Sequence, residues 1–285
     1  MRLNGAKGKL VIIGGGEDKK GDCTILKEFI RLAGKSRARI VIMTVATDEP
    51  EASGAEYRKV FKKLGVEEVH VVDVSSRKDV LDEKALKLIE GASALFFTGG
   101  DQIHITSLLG GTQMQELIYK RFQEGLVIGG TSAGAAMMSN TMIIRGDSNC
   151  NPRFGGIEIG PGMDFLPGTM IDTHFSQRGR MGRLLTAVAH YPQDIGFGID
   201  ENTALIVSEG RCEVLGENAV TVVDAGSITY TNLPDLAKDE PLSLHGVRVH
   251  VLSEGHKYDL EKRAPIEEKA KAVKAKAATA ETTND

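Results

Sequence analysis

A serine flanked by glycines, Gly130-Thr131-Ser132-Ala133-Gly134, follows the apolar run Leu126-Val127-Ile128 and precedes a stretch of small residues. G-x-S-x-G carries chemical meaning in one context: a strand that turns sharply into a helix and presents the hydroxyl at the edge of a sheet. Such a turn has unusual backbone angles, so its neighbours must lack bulk, as Gly130, Ala133, Gly134 and Ala135 do. The free N–H groups and positive dipole end of a following helix suit a developing oxyanion. The same residues also fit a plain N-cap on a tightly packed helix. The motif therefore needs partners before it means catalysis.

A serine hydroxyl is a weak nucleophile at its ordinary pKa and needs a base oriented by a third group. Of the seven histidines, His70 falls in a strand, His190 near a helix end, and His245, His250 and His256 in a late region of alternating pattern. His104 follows a glycine turn and stays a candidate. His174 ends a β-like run over 169–173 and sits in a dense polar stretch: Asp172, Thr173, His174, Ser176, Gln177, Arg178, Arg180 and Arg183. For the acid, Gly198-Ile199-Asp200-Glu201-Asn202 places two carboxylates at a turn after a strand. Residue chemistry leaves Asp200 and Glu201 open.

The elements that must position these groups alternate strand and helix. Strands are expected over 10–13, 39–45, 69–74, 94–97 and 126–128. Helices are expected over 24–33, 57–64, 80–89 and 114–123, after Gly100, and from Ser132 to Ser139. Strands apolar on both faces imply a mostly parallel sheet with helices on each side. Right-handed crossovers put the strands' carboxyl ends along one edge, so the glycine-rich exits at Gly14, Gly99 and Gly129 should converge on one crevice. Beyond about residue 194, short runs over 197–199, 203–207, 212–215, 220–223 and 245–252 read as antiparallel additions. One α/β domain is expected over 1–263. The segment 264–285, rich in Ala, Lys and Glu, is expected to be disordered or a fraying helix.

Composition narrows the class. A formal charge of −4 without a basic block argues against a phosphate-backbone partner, and none is expected. Cys23, Cys150 and Cys212 are too scattered for a disulfide framework or a zinc site. Gly14-Gly15-Gly16 fails as a dinucleotide fingerprint, since the third glycine of G-x-G-x-x-G would fall at Lys19. No signal-peptide pattern opens the chain and no apolar run reaches membrane-spanning length, so a cytoplasmic protein without a membrane partner is expected.

Four motifs in order, Thr98-Gly99-Gly100-Asp101-Gln102, Gly130-Thr131-Ser132-Ala133-Gly134-Ala135, His174-Phe175-Ser176-Gln177-Arg178-Gly179-Arg180 and Gly198-Ile199-Asp200-Glu201, resemble the serine peptidase family that contains the cyanophycinases and aspartyl dipeptidase E. The similarity runs from about Lys9 to about Leu252. It implies a glutamine-amidotransferase-like α/β fold, with Ser132 as nucleophile, His174 as base and Glu201 as the orienting acid. It further implies Gly100 and Ala133 as oxyanion-hole donors, a homodimer, and no metal or cofactor. The implied substrate is cyanophycin, a poly-aspartate backbone bearing arginine on each β-carboxyl, and the implied product is the β-Asp-Arg dipeptide. Arg178, Arg180 and Arg183 would bind its α-carboxylates. Asp101 and Asp172 would meet its cationic groups, with Gln102 and Thr173 as further contacts. Thr173 stands where the family would have glutamine. A dipeptidase for short aspartyl or isoaspartyl peptides, or a non-catalytic binding protein on the same fold, are the alternatives.

Overall fold

The computed structural model describes residues 6–267. Five parallel strands form its centre: β1 (Lys9–Ile13), β2 (Arg39–Met43), β3 (Glu68–Val72), β4 (Ala94–Phe97) and β5 (Val127–Thr131), in the order β1-β5-β4-β2-β3. Their side chains alternate between two cores. Leu10, Ile12, Val41, Met43, Leu95, Phe97 and Ile128 enter one, and Val11, Ile13, Ile40, Ile42, Ala94, Phe96 and Val127 the other. Both faces of β1, β2, β4 and β5 are thereby buried, which is why apolar residues follow one another along them, whereas the edge strand β3 leaves Val71 exposed.

Helices cover the two faces. α1 (Thr24–Leu32) and α2 (Pro50–Lys63) place Leu26, Phe29, Tyr57 and Phe61 against the second core. α3 (Glu83–Gly91), α4 (Gln102–Leu109) and α5 (Gln113–Glu124) place Ile89, Ile105, Leu109, Ile118 and Phe122 against the first. Helix α2 begins seven residues before the expected position 57, because Pro50 suits a first helical turn. Residues 79–81 form a 3-10 turn, and Asp82 caps α3 by accepting from Lys84 N at 2.8 Å.

After β5 the chain departs from the expected pattern. The helix expected over 132–139 is a single turn, α6 (Ala133–Ala136). An unanticipated hairpin, β6 (Thr141–Gly146) with β7 (Ile157–Pro161), follows. Then come β8 (Thr169–Thr173), α7 (Met181–His190), β9 (Ile195–Ile199), β10 (Thr203–Ser208), β11 (Arg211–Gly216) and β12 (Val220–Asp224). A two-residue ladder, β13 (Tyr230–Thr231) with β14 (Leu244–His245), precedes β15 (Arg248–Leu252), β16 (Lys257–Asp259) and β17 (Ala264–Ile266).

The late strands serve two sheets. β10, β11, β16 and β17 extend the main sheet antiparallel beyond β1, whereas β15-β12-β9-β8 form a separate four-stranded sheet. Strands β8 and β9 in that second sheet are parallel, with Thr173 beside Ile199. Ile171, Phe197, Ile199 and Val222 join the first core, while Leu184 and Val188 of α7 pack on the opposite face with Met170 and Val223. Residues 264–266 pair with β16, so the expected boundary at 263 falls within the β16–β17 hairpin. The remainder of that segment, from 268, lies outside the described residues. Among the described residues no helix is long and apolar enough to cross a membrane.

Candidate active site

The turn after β1 brings the ends of both sheets together. Ile13 accepts from Ser132 N (3.1 Å) within the main sheet, and the next two carbonyls reach the second, Gly14 accepting from His174 N (2.7 Å) and Gly15 from Asn202 N (2.8 Å). Each donor lies in the turn that follows a different strand, namely β5, β8 and β9. A buried backbone group must find a partner, and here the partners are the exits that carry the candidate chemistry.

Ser132 has φ +52° and ψ −111°, a conformation that L-residues rarely adopt. The flanking glycines make the turn possible. A Cβ at Gly130 would overlap the Gly134 carbonyl, and one at Gly134 the Phe97 carbonyl. His174 also has positive φ, +48°. Its Nε2 lies 2.9 Å from Ser132 Oγ, and its Nδ1 lies 2.6 Å from Glu201 Oε1. Asp200, the other carboxylate left open, accepts instead from Ser176 N (2.9 Å) and Ser176 Oγ (2.6 Å). Glu201 is itself held through its backbone. Its N–H donates to Gln177 Oε1 at 3.0 Å, and its carbonyl accepts from Asn218 Nδ2 at 2.8 Å. His104, the alternative base, is exposed on α4 and lines a different cavity.

Burial pushes the His174 imidazole below the usual histidine range; the Glu201 hydrogen bond opposes this, and the nearby Arg178 and Arg180 add to it. The imidazole is thereby kept neutral and able to take a proton at neutral pH.

Two cavities meet at Ser132 and His174. The larger, about 600 Å³, is lined by Gly15, Gly16, Glu17, Tyr57 and Thr131 among others. The smaller, about 280 Å³, is lined by Gly100, Ala133, Thr173, Arg178, Arg180 and Arg183, and by Ile143, Ile144 and Arg145 of the β6–β7 hairpin. Because α6 is one turn long, oxyanion stabilisation there would rest on individual N–H groups such as those of Gly100 and Ala133 rather than on a long helix dipole.

The arginines are not equivalent. Arg183, on α7, makes a two-pronged contact with Asp172, its Nε at 2.7 Å and its Nη2 completing the fork. Arg180 precedes α7 as its N-cap residue. Its Nη1 donates to Asp172 Oδ1 (3.3 Å) and to the Thr173 carbonyl (2.5 Å). Its Nε is buried without a hydrogen-bond partner, and desolvation lowers its pKa to about 10, which still leaves it charged at neutral pH. Arg178 is exposed at the rim.

Three expected contacts change meaning. Asp172, 1% exposed, is engaged by Arg183 and Arg180, which corrects the expectation that it meets a substrate cation. Asp101 caps α4 by accepting from Ile103 N at 2.8 Å and lines neither cavity. Gln102 does line the smaller cavity, but its amide N–H groups donate to the carbonyls of Ile143 (3.0 Å) and Ile144 (2.8 Å). Arg145 and Glu17 were not anticipated. The isoleucine-rich run 141–146 could have marked a strand; nothing in the sequence marks Glu17.

A hydroxyl, an imidazole and a carboxylate in hydrogen-bonded series at a strand–helix turn are what acyl transfer through a serine requires. The sequence profile of Peptidase family S51 matches residues 10–215, and the chain belongs to that family and is a serine-type peptidase. A cyanophycinase of Trichormus variabilis is 39% identical over 262 residues, covering 91% of this chain and 88% of that protein. A cyanophycinase of Geminocystis herdmanii is 37% identical, covering 91% and 96%. The fold is also similar to that of a peptidase from an acI-B1 Actinobacterium, with TM-score 0.64 and 21% identity over 90% of this chain and 98% of the other.

Proposed function

We propose that this chain is a cyanophycin-degrading exopeptidase that releases β-Asp-Arg dipeptides. Ser132 Oγ attacks the backbone carbonyl as His174 Nε2 takes its proton, and Glu201 steadies the imidazolium through Nδ1. The tetrahedral oxygen is met by the N–H groups of Gly100 and Ala133, each worth about 3 kcal/mol in the transition state. His174 returns the proton to the leaving amine, and water resolves the acyl-enzyme by the same route in reverse.

The observation that carries this reading is the series Ser132–His174–Glu201 opening directly onto an arginine-lined cavity. Guanidinium donors suit the carboxylates of an aspartate-based chain. The unpartnered Arg180 Nε and the exposed Arg178 have donors to offer, whereas Arg183 is largely committed to Asp172. Relatives named cyanophycinase, 37–39% identical over about nine-tenths of the chain, point to the same polymer.

The reading carries with it a cytoplasmic homodimer that needs no metal or cofactor. Light scattering would test the dimer, and an unchanged rate in EDTA the metal independence. Mass spectrometry of soluble products from purified cyanophycin tests the substrate. Wild-type protein is expected to yield β-Asp-Arg and the Ser132→Ala variant none. Cleavage confined to short aspartyl peptides would replace this reading with that of a dipeptidase.

A further inference from the structure

The larger cavity contains a charged side chain that the proposed chemistry leaves unused. Glu17 follows the glycine turn after β1 and is 6% exposed, yet it lines the same space as Ser132 and His174. Each of its carboxylate oxygens receives a hydroxyl. Thr131 Oγ1 donates to Oε2 at 2.6 Å, and Tyr57 OH donates to Oε1. Thr131 ends β5 immediately before the nucleophile and is 4% exposed. Tyr57 belongs to α2 and is buried, with Lys19 Nζ 4.2 Å from its ring centroid and bonded in turn to Glu56 at 2.8 Å.

A buried carboxylate whose partners here are two neutral hydroxyls is costly to keep. Its geometry says what it does there. The β1 turn already holds Ser132 N through the Ile13 carbonyl, and Glu17 adds a second grip from the same turn on the side chain of the preceding residue. The strained backbone at Ser132 persists only if its surroundings over-determine it. Burial and the charge of Glu17 both push the Tyr57 phenol well above its ordinary pKa, so Tyr57 remains a hydroxyl donor and braces the carboxylate from the helix side.

We propose that Glu17 is a positioning residue for the nucleophile, holding Thr131 and through it the Ser132 turn in the reactive conformation. A carboxylate suits this role because it accepts from both hydroxyls at once. Glutamine offers one acceptor oxygen and an amide that cannot accept. The inference rests on Ser132 being the nucleophile.

The test compares Thr131→Val, Thr131→Ser, Glu17→Gln and the Thr131→Val/Glu17→Gln pair, with Ser132→Ala alongside, in steady-state cyanophycin hydrolysis expressed per folded molecule. Thr131→Val and Glu17→Gln should each lower kcat on the order of 10- to 100-fold with KM nearly unchanged, since an interaction acting through geometry is lost at the transition state. Thr131→Ser keeps the donor and should keep kcat. The pair should lose no more than the worse single variant, because both act through one bond. Wild-type kcat in Thr131→Val, or losses that multiply, would overturn the proposal. Should Thr131→Val fail to fold, Glu17→Leu, which removes both acceptors, decides alone, wild-type kcat again overturning it. An active Ser132→Ala variant would instead remove the triad reading on which the inference stands.

Discussion

Replacing Gly15 by alanine tests how the turn after β1 sets the imidazole. Gly15 has φ +98°, and a Cβ there would lie 2.2 Å from His174 Cε1 and 2.5 Å from Nε2, the atom that faces Ser132. Ordinary contact between such atoms is about 3.5 Å, so the ring must retreat by roughly 1 Å. A retreat directed away from Ser132 stretches the 2.9 Å contact with its Oγ to about 4 Å, outside hydrogen-bond range. A displacement of this size costs on the order of 10²-fold in kcat, while the arginine-lined cavity, and hence KM, is left nearly alone. The left-handed backbone adds about 1–2 kcal/mol of destabilisation. Gly65→Ala supplies the control, because Gly65 has φ +92° but nothing within 4 Å of the added Cβ. It bears the backbone strain without touching the site. Measured side by side for kcat and for fluorophosphonate labelling rate, Gly15→Ala should lose both and Gly65→Ala neither. Wild-type activity in Gly15→Ala would refute the reasoning.

Three further substitutions follow from the charges. Arg178 helps to depress the His174 pKa and the Glu201 hydrogen bond raises it. The base works when neutral, so the acid limb of kcat/KM should move to higher pH in Arg178→Gln and to lower pH in Glu201→Gln, the latter with a large loss of rate; shifts of the opposite sign in the pH–rate profile would contradict this. Asp172→Asn leaves Arg183 and Arg180 without their carboxylate and should cost about 3–5 kcal/mol, read as a lowered urea midpoint.

Much of this site could be read in the sequence because its parts obey local rules. The apolar runs that became β1, β2, β4 and β5 are buried on both faces, and Gly130 and Gly134 are needed where backbones cross within the serine turn. What the sequence withheld is non-local. Nothing near His174 says that its strand belongs to a second sheet, or that the Gly14 and Gly15 carbonyls after β1 join the two. The exit at Gly14 is expected at the crevice, but nothing local shows that Gly15 leaves room for the His174 ring or that Gly16 packs near Glu201. Asp172 read as a free acid because a sequence cannot show that Arg183 will fold back eleven residues later to bind it. The helix after Ser132 was overextended because small residues fit a helix and a tight turn equally well, and the β6–β7 hairpin went unseen with it.

The central claim is that Ser132 is made reactive by His174 and Glu201. A fluorophosphonate probe tests it most directly, since only an activated serine reacts at an appreciable rate. Intact-mass and peptide mapping should place one adduct on Ser132 of the wild-type protein, labelling should be far slower in Glu201→Gln, and none should form in His174→Ala. Wild-type protein that stays unlabelled, or a His174→Ala variant labelled on Ser132 as fast as wild type, would contradict the account.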